Sequence, residues 1–266
     1  MSRALPPLDL HAHVDVGIAS RDLESLGAVV FAATRSLEEA ERALARTDLV
    51  TVWGAGCHPG VAKAQANFDA SRFSSFLADT PFVSEVGLDG ASKVALHQQR
   101  ETFAAILAEA THAPRLVSVH SKRATSQVLD MLEAAGTRGA ILHWWLGSTP
   151  ETKRALELGC LFSVNASMDV ADLREAGVPL EAILPETDHP SGNRTSSVPR
   201  QPGRIADVER SLAAVFGATP EVVRAQTWRT LARACGELDL DDLFPIPVQR
   251  MLAAARELPS SAGGTP

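Results

Sequence analysis

Along this chain, short runs of Val, Ile, Leu and Phe alternate with longer stretches in which apolar residues return every three or four positions. The runs fall at 8–13, 28–34, 49–55, 82–88, 116–120, 140–143, 161–165 and 183–188, and each has the length and bulk of a buried strand. Between them, SLEEAERALARTD opens on Ser36, a good N-cap, and QQRETFAAILAEATHA carries the helical period. ATSQVLDMLEAAG stops at Gly136, and TPETKRALELG has Pro150 early and Gly159 at its end. Eight strands alternating with helices predict an α/β fold, specifically a (β/α)8 TIM barrel forming a single domain. A doubly wound sheet would share the alternation, but no stretch resembles a GxGxxG turn.

After the eighth run comes a polar loop, HPSGNRTSSVPRQPGR, and then two helical segments at 205–216 and 220–235. The expected division is a barrel over 1–238 and a short C-terminal extension over 239–266. That extension is expected to be helical at 248–258 and disordered in SSAGGTP.

Composition narrows the class. The chain has 266 residues, 45% hydrophobic and 21% charged, enough for a substantial core. Three well-separated cysteines with no CxxC favour a reducing compartment. With no signal-like leader and no membrane-length apolar run, a soluble cytoplasmic protein is expected, with no membrane partner. The formal charge is −7, and no basic run is present, which argues against an extended duplex footprint. A small substrate or a strand end remains compatible.

The histidines carry the chemistry. His11 and His13 lie two apart in the first predicted strand and so share a face. His58, His120, His143 and His189 follow at or beyond the ends of strands three, five, six and eight, while His97 and His112 read as surface residues. In a (β/α)8 barrel those strand ends form one rim, where active sites are built. Glu85 and Asp188 end strands four and eight at the same level. Any one of these has a bland reading as a satisfied imidazole or solvated carboxylate; together they point to a binuclear centre. Nitrogen and carboxylate donors suit Zn²⁺ or Mn²⁺, and with more waters Mg²⁺.

The motifs DLHAHVD, GCHP, SEVGLD, QQRETF, SVHSKRA, LHWWLGS, LPETDHP and RQPGRIADVERSLA, in that order, resemble the TatD family of metal-dependent deoxyribonucleases. The resemblance implies that His11, His13, Glu85 and Asp188 hold one metal. Glu85 then bridges to a second, completed by His120 and His143. It also implies a hydroxide shared between the two ions, with Asp188 as general base and Glu85 as the other catalytic carboxylate. His58 would sit near the substrate phosphate. The implied activity is phosphodiester hydrolysis, as a 3′-to-5′ exonuclease on single DNA strands. Three departures bear on the substrate. Gly60 stands where the family usually has a second histidine, Lys122–Arg123 where it has Arg then an acid, and Gly90 where it has an aromatic residue.

Lys122 and Arg123 are expected phosphate contacts, and Lys122 lacks the bidentate fork of Arg. Trp145 is placed among the substrate contacts as a base-stacking ring, against the alternative of closing the barrel mouth. Glu186, two before Asp188, should share its face and support a ligand. Cys57 reads as a small buried thiol. Two further functions stay open. One is a metal-dependent amidase, lactonase or deacylase acting on a small-molecule or aminoacyl ester. The other is a subunit of a multi-protein anti-phage assembly, such as TatD-like proteins also join, with protein partners reached through the C-terminal extension.

Overall fold

The computed structural model describes residues 5–197 and 199–258. The eight apolar runs form eight parallel strands in chain order. These are β1 (Leu8–Ala12), β2 (Val29–Ala32), β3 (Thr51–Trp53), β4 (Phe82–Gly87), β5 (Leu116–His120), β6 (Ala140–Leu142), β7 (Leu161–Val164) and β8 (Ile183–Pro185). They pair in sequence, β1-β2-β3 in one sheet and β4-β5-β6-β7-β8 in the other. Two seams close the sheets into a barrel. At the first, Ala55 N–H donates to Phe82 O and Ser84 N–H to Ala55 O. At the second, Asp188 N–H donates to His11 O and His13 N–H to His189 O, which ties the end of the last strand to the first. The first seam requires glycine, since a Cβ on Gly56 would lie 2.2 Å from Ser84 O.

Eleven α-helices are described: α1 (Ser20–Glu24), α2 (Leu37–Leu44), α3 (Ala62–Ala66), α4 (Ala70–Phe76), α5 (Leu96–His112), α6 (Thr125–Ala135), α7 (Thr149–Glu157), α8 (Val170–Glu175), α9 (Ala206–Phe216), α10 (Pro220–Glu237) and α11 (Ile246–Arg256). Their ends follow the expected local chemistry. Ser36 accepts from Glu39 N–H ahead of α2, and Gly136 ends α6 in the left-handed region. Ser148 and Glu151 form a reciprocal capping box on α7.

Beyond residue 238 the chain continues the same core. Leu240, Phe244, Val248, Leu252 and Ala255 are buried in the apolar cluster that holds the barrel strands. Phe244 meets Phe31 of β2 edge-on, with centroids 6.0 Å apart. The SSAGGTP stretch lies outside the described residues. No described helix is long and apolar enough to cross a membrane.

The strands stop short of the apolar runs at several C-terminal ends. The eighth run extends to 188, yet β8 ends at Pro185. Trp144 and Asp188 adopt φ values of 43° and 39°, which an extended ladder cannot hold. These last residues turn away from the ladder at the barrel mouth.

Candidate metal centre

At that mouth the other five expected ligands gather around Glu85. His13 Nε2 lies 3.0 Å and His11 Nε2 3.8 Å from Oε2. His120 Nδ1 lies 2.9 Å, His58 Nε2 3.1 Å and His143 Nε2 3.9 Å from Oε1. Asp188 Oδ1 is 3.8 Å from His13 Nε2 and 4.0 Å from His143 Nε2. The rings of His11 and His143 stack at 4.0 Å.

The groups behind the rings decide which nitrogen faces the centre with a lone pair. Ala33 O accepts from His13 Nδ1 at 3.2 Å, and Glu186 Oε2 accepts from His143 Nδ1 at 2.8 Å. A carbonyl or carboxylate can only accept, so both rings turn an unprotonated Nε2 inward once neutral. Ser118 Oγ lies 2.8 Å from His11 Nδ1 and can serve it the same way. His120 is reversed: Asp89 Oδ2 lies 3.5 Å from Nε2, which leaves Nδ1 for the centre.

His58 has the opposite arrangement. By distance alone His58, Glu85 and His120 could together hold an ion. But Gly60 N–H donates to His58 Nδ1 at 2.8 Å, so the proton of the neutral ring sits on Nε2, facing Glu85. That proton outweighs proximity: His58 is set as a donor toward the centre.

Charge follows the same geometry. Burial, then the neighbouring His143, holds His11 well below the usual histidine range, so its ring is neutral. Burial would raise Glu85, but the surrounding imidazoles of His120, His13 and His58 overcome it and hold the carboxylate ionised. Burial would lower His143, yet Glu186, with Asp188 and Glu85, carries it up to about 10. Burial pushes Asp188 up to about 6 despite the attraction of His143. The hydrogen bond from His120 draws Asp89 down to about 2.

The donor set fits divalent cations. His11 Nε2 and Glu85 Oε2 are buried with no hydrogen-bond partner. His13 Nε2, with its proton side spent on Ala33, faces the same Oε2. Lone pairs aimed at one another in a buried cluster need a positive charge between them. Two groups of three, His11–His13–Glu85 and His11–His143–Asp188, are close enough for each to hold an ion.

Supports that the sequence does not single out come from elsewhere in the chain. Asp9, one turn of the pleat below His11, accepts from Thr187 N–H, Thr187 Oγ and Gly203 N–H. It thereby fixes the residue before Asp188 and the polar loop after it. Glu186, expected behind a ligand, also accepts from Ser163 Oγ and from Asn165 Nδ2. Ser118, Ala33 O and Asp89 gave no local signal, because their partners lie on other strands.

The expected substrate contacts separate. Lys122 and Arg123 are exposed on the loop after β5. Trp145 must be corrected: only 2% exposed, it packs on Phe162 and donates its indole N–H to Thr152 Oγ1. It closes the barrel mouth and cannot present a face to a base. Cys57 is buried and burial pushes its thiol up to about 12, as befits an inert packing residue.

Comparison with known proteins bears on the family and the fold. The metal-dependent hydrolase TatD of Mycobacterium tuberculosis, described as uncharacterized, is 28% identical over 86% of this chain and 97% of its own. Deoxyribonuclease TATDN3 of Homo sapiens is 27% identical over 56% of this chain and 58% of its own. Among solved structures, the TatD homologue YjjV of Escherichia coli K12 superposes with a TM-score of 0.73 at 22% identity, covering 84% of this chain and 95% of that one. A TatD family hydrolase of Entamoeba histolytica gives 0.71 at 15% identity, over 88% and 99%. The family described as TatD related DNase matches residues 8–236. The chain therefore belongs to the TatD related DNase family, and with it to the metal-dependent hydrolases.

Proposed function

We propose that this chain is a divalent-metal-dependent phosphodiesterase that shortens single DNA strands from the 3′ end. The observation that supports it most is the inward-facing donor set around Glu85: ring nitrogens of His11, His13, His120 and His143, with Asp188 beside them. In this reading His11, His13, Glu85 and Asp188 hold one ion, and Glu85, His120 and His143 a second. Bound ions would supply a low-pKa water and neutralise charge building on the phosphoryl group.

The chain's own residues do the rest. Asp188 Oδ1, between His13 and His143, receives a proton from the attacking water. Glu186 keeps the His143 ring in its ligand orientation. His58 offers its Nε2 proton as a hydrogen bond to a phosphoryl oxygen, and Lys122 and Arg123 supply positive charge at the rim. Few phosphates need be held at a strand end, which suits a chain of charge −7.

Gly60 favours a second reading. Its lack of a side chain leaves the His58 edge of the mouth free of the family's second histidine, which suits a small carbonyl ester as well. One metal-loaded preparation offered end-labelled single strands, duplexes, and a panel of aryl esters and lactones separates the two. Stepwise loss from the 3′ end of single strands is expected. Turnover of esters with every strand intact would replace this reading by a carbonyl hydrolase.

A further inference from the structure

The turn after β6 is built to expose one tryptophan and hide its neighbour. Trp144 follows the ligand His143 directly and holds φ at 43°, which a bulky residue rarely adopts. That twist sends the Trp145 ring inward to Thr152. Gly147 makes room for it, since a Cβ at that position would lie 2.1 Å from the Trp145 ring. Trp144 is left half-buried at the rim, and Leu146 beside it is 71% exposed. Of the chain's four tryptophans, Trp53, Trp145 and Trp228 are buried, so Trp144 alone is accessible. The exposed Arg194 places its guanidinium carbon 5.9 Å from the Trp144 ring centroid.

We propose that Trp144 is the platform on which the base next to the scissile phosphate stacks, flanked by Leu146 and Arg194. This rests on the phosphodiesterase reading above. A flat π-face beside a cation, on an open lip next to a phosphate-processing centre, has both features of single-strand binding: stacking for the base and charge for the backbone. An acyl chain would be better served by an enclosed apolar pocket, and this ring stands at the rim. The strained turn is what puts the ring there: with the chain extended past His143, strand alternation would exchange the two tryptophans.

The test compares a short single strand with the same strand made abasic at its two 3′-terminal positions, using wild type, Trp144→Phe and Trp144→Ala. Trp144→Ala is expected to raise KM about tenfold on the normal strand with kcat nearly unchanged. Trp144→Phe should recover most of the loss. On the abasic strand wild type and Trp144→Ala should converge, which a merely structural role would not produce. Strand binding should also quench tryptophan emission in wild type and not in Trp144→Phe. Equal KM values on the normal strand, or a tenfold loss that persists on the abasic one, would overturn the platform. If wild type cleaves neither strand in any metal, the phosphodiesterase reading fails instead. The platform beside a scissile phosphate would then fall with that reading, and quenching by the normal strand but not the abasic one would leave Trp144 as a strand-binding surface only.

Discussion

Three imidazole nitrogens lie within 3.1 Å of Glu85, yet its buried Oε2 has no hydrogen-bond partner, and that excess of acceptor capacity defines the centre. The supporting residues should therefore govern metal affinity more than folding. Glu186→Gln is expected to weaken metal binding about 10- to 100-fold while the protein stays folded, as read by calorimetry beside circular dichroism. Unchanged affinity would mean that Glu186 does not orient His143. Protons provide a second check. Without metal, His143 sits at about 10, so at pH 7 its ring is protonated and must release that proton to become a ligand. Loading should release about one proton or more per protein, seen as a buffer-dependent binding enthalpy, and affinity should rise with pH. Much of this was legible in the sequence: the spacings of His11 with His13 and of Glu186 with Asp188 follow strand alternation. Trp144 and Trp145 were not, because alternation ends where the backbone enters the left-handed region. Ser118, Asp89 and Ala33 were hidden for another reason, since each meets its histidine across strands.

The elements were legible wherever a local interaction decides them. Ser36, Gly136 and Ser148 mark helix ends by hydrogen bonds spanning a few residues; Ser36 and Gly136 lie where the sequence placed them, and the Ser148 cap was not singled out there. The last helix begins at Ile246 rather than 248, because Pro247 is at home in a first turn. Strand ends were less legible, since an apolar run does not reveal where the chain leaves the ladder. The α7 cap also bears on the site, because it anchors the far side of the turn that carries Trp144. Ser148→Ala removes a side chain that caps the helix and bonds to Glu151. It should lower unfolding free energy by about 1 kcal/mol in a denaturant titration. Activity should fall far less than in Glu186→Gln, and a larger loss would mean that the cap positions the turn for catalysis.

At the scale of the whole molecule, the barrel gathers residues from sequence positions 9 to 203 around one mouth. Closure of the β8–β1 seam carries ligands on both sides, His11 and His13 on one and Asp188 on the other. The extension after 238 adds to the core rather than to the mouth, through Phe244, Val248 and Leu252. The barrel could be foreseen from eight alternations, while the closing bonds could not, since two isolated bridges leave no local pattern. The most direct measurement is strand hydrolysis by metal-free protein, with Mg²⁺, Mn²⁺ and Zn²⁺ restored one at a time and Asp188→Asn beside it. Shortening from the 3′ end is expected only with metal and only in wild type. Equal cleavage without metal, or by Asp188→Asn, would contradict a metal-dependent centre that works through Asp188.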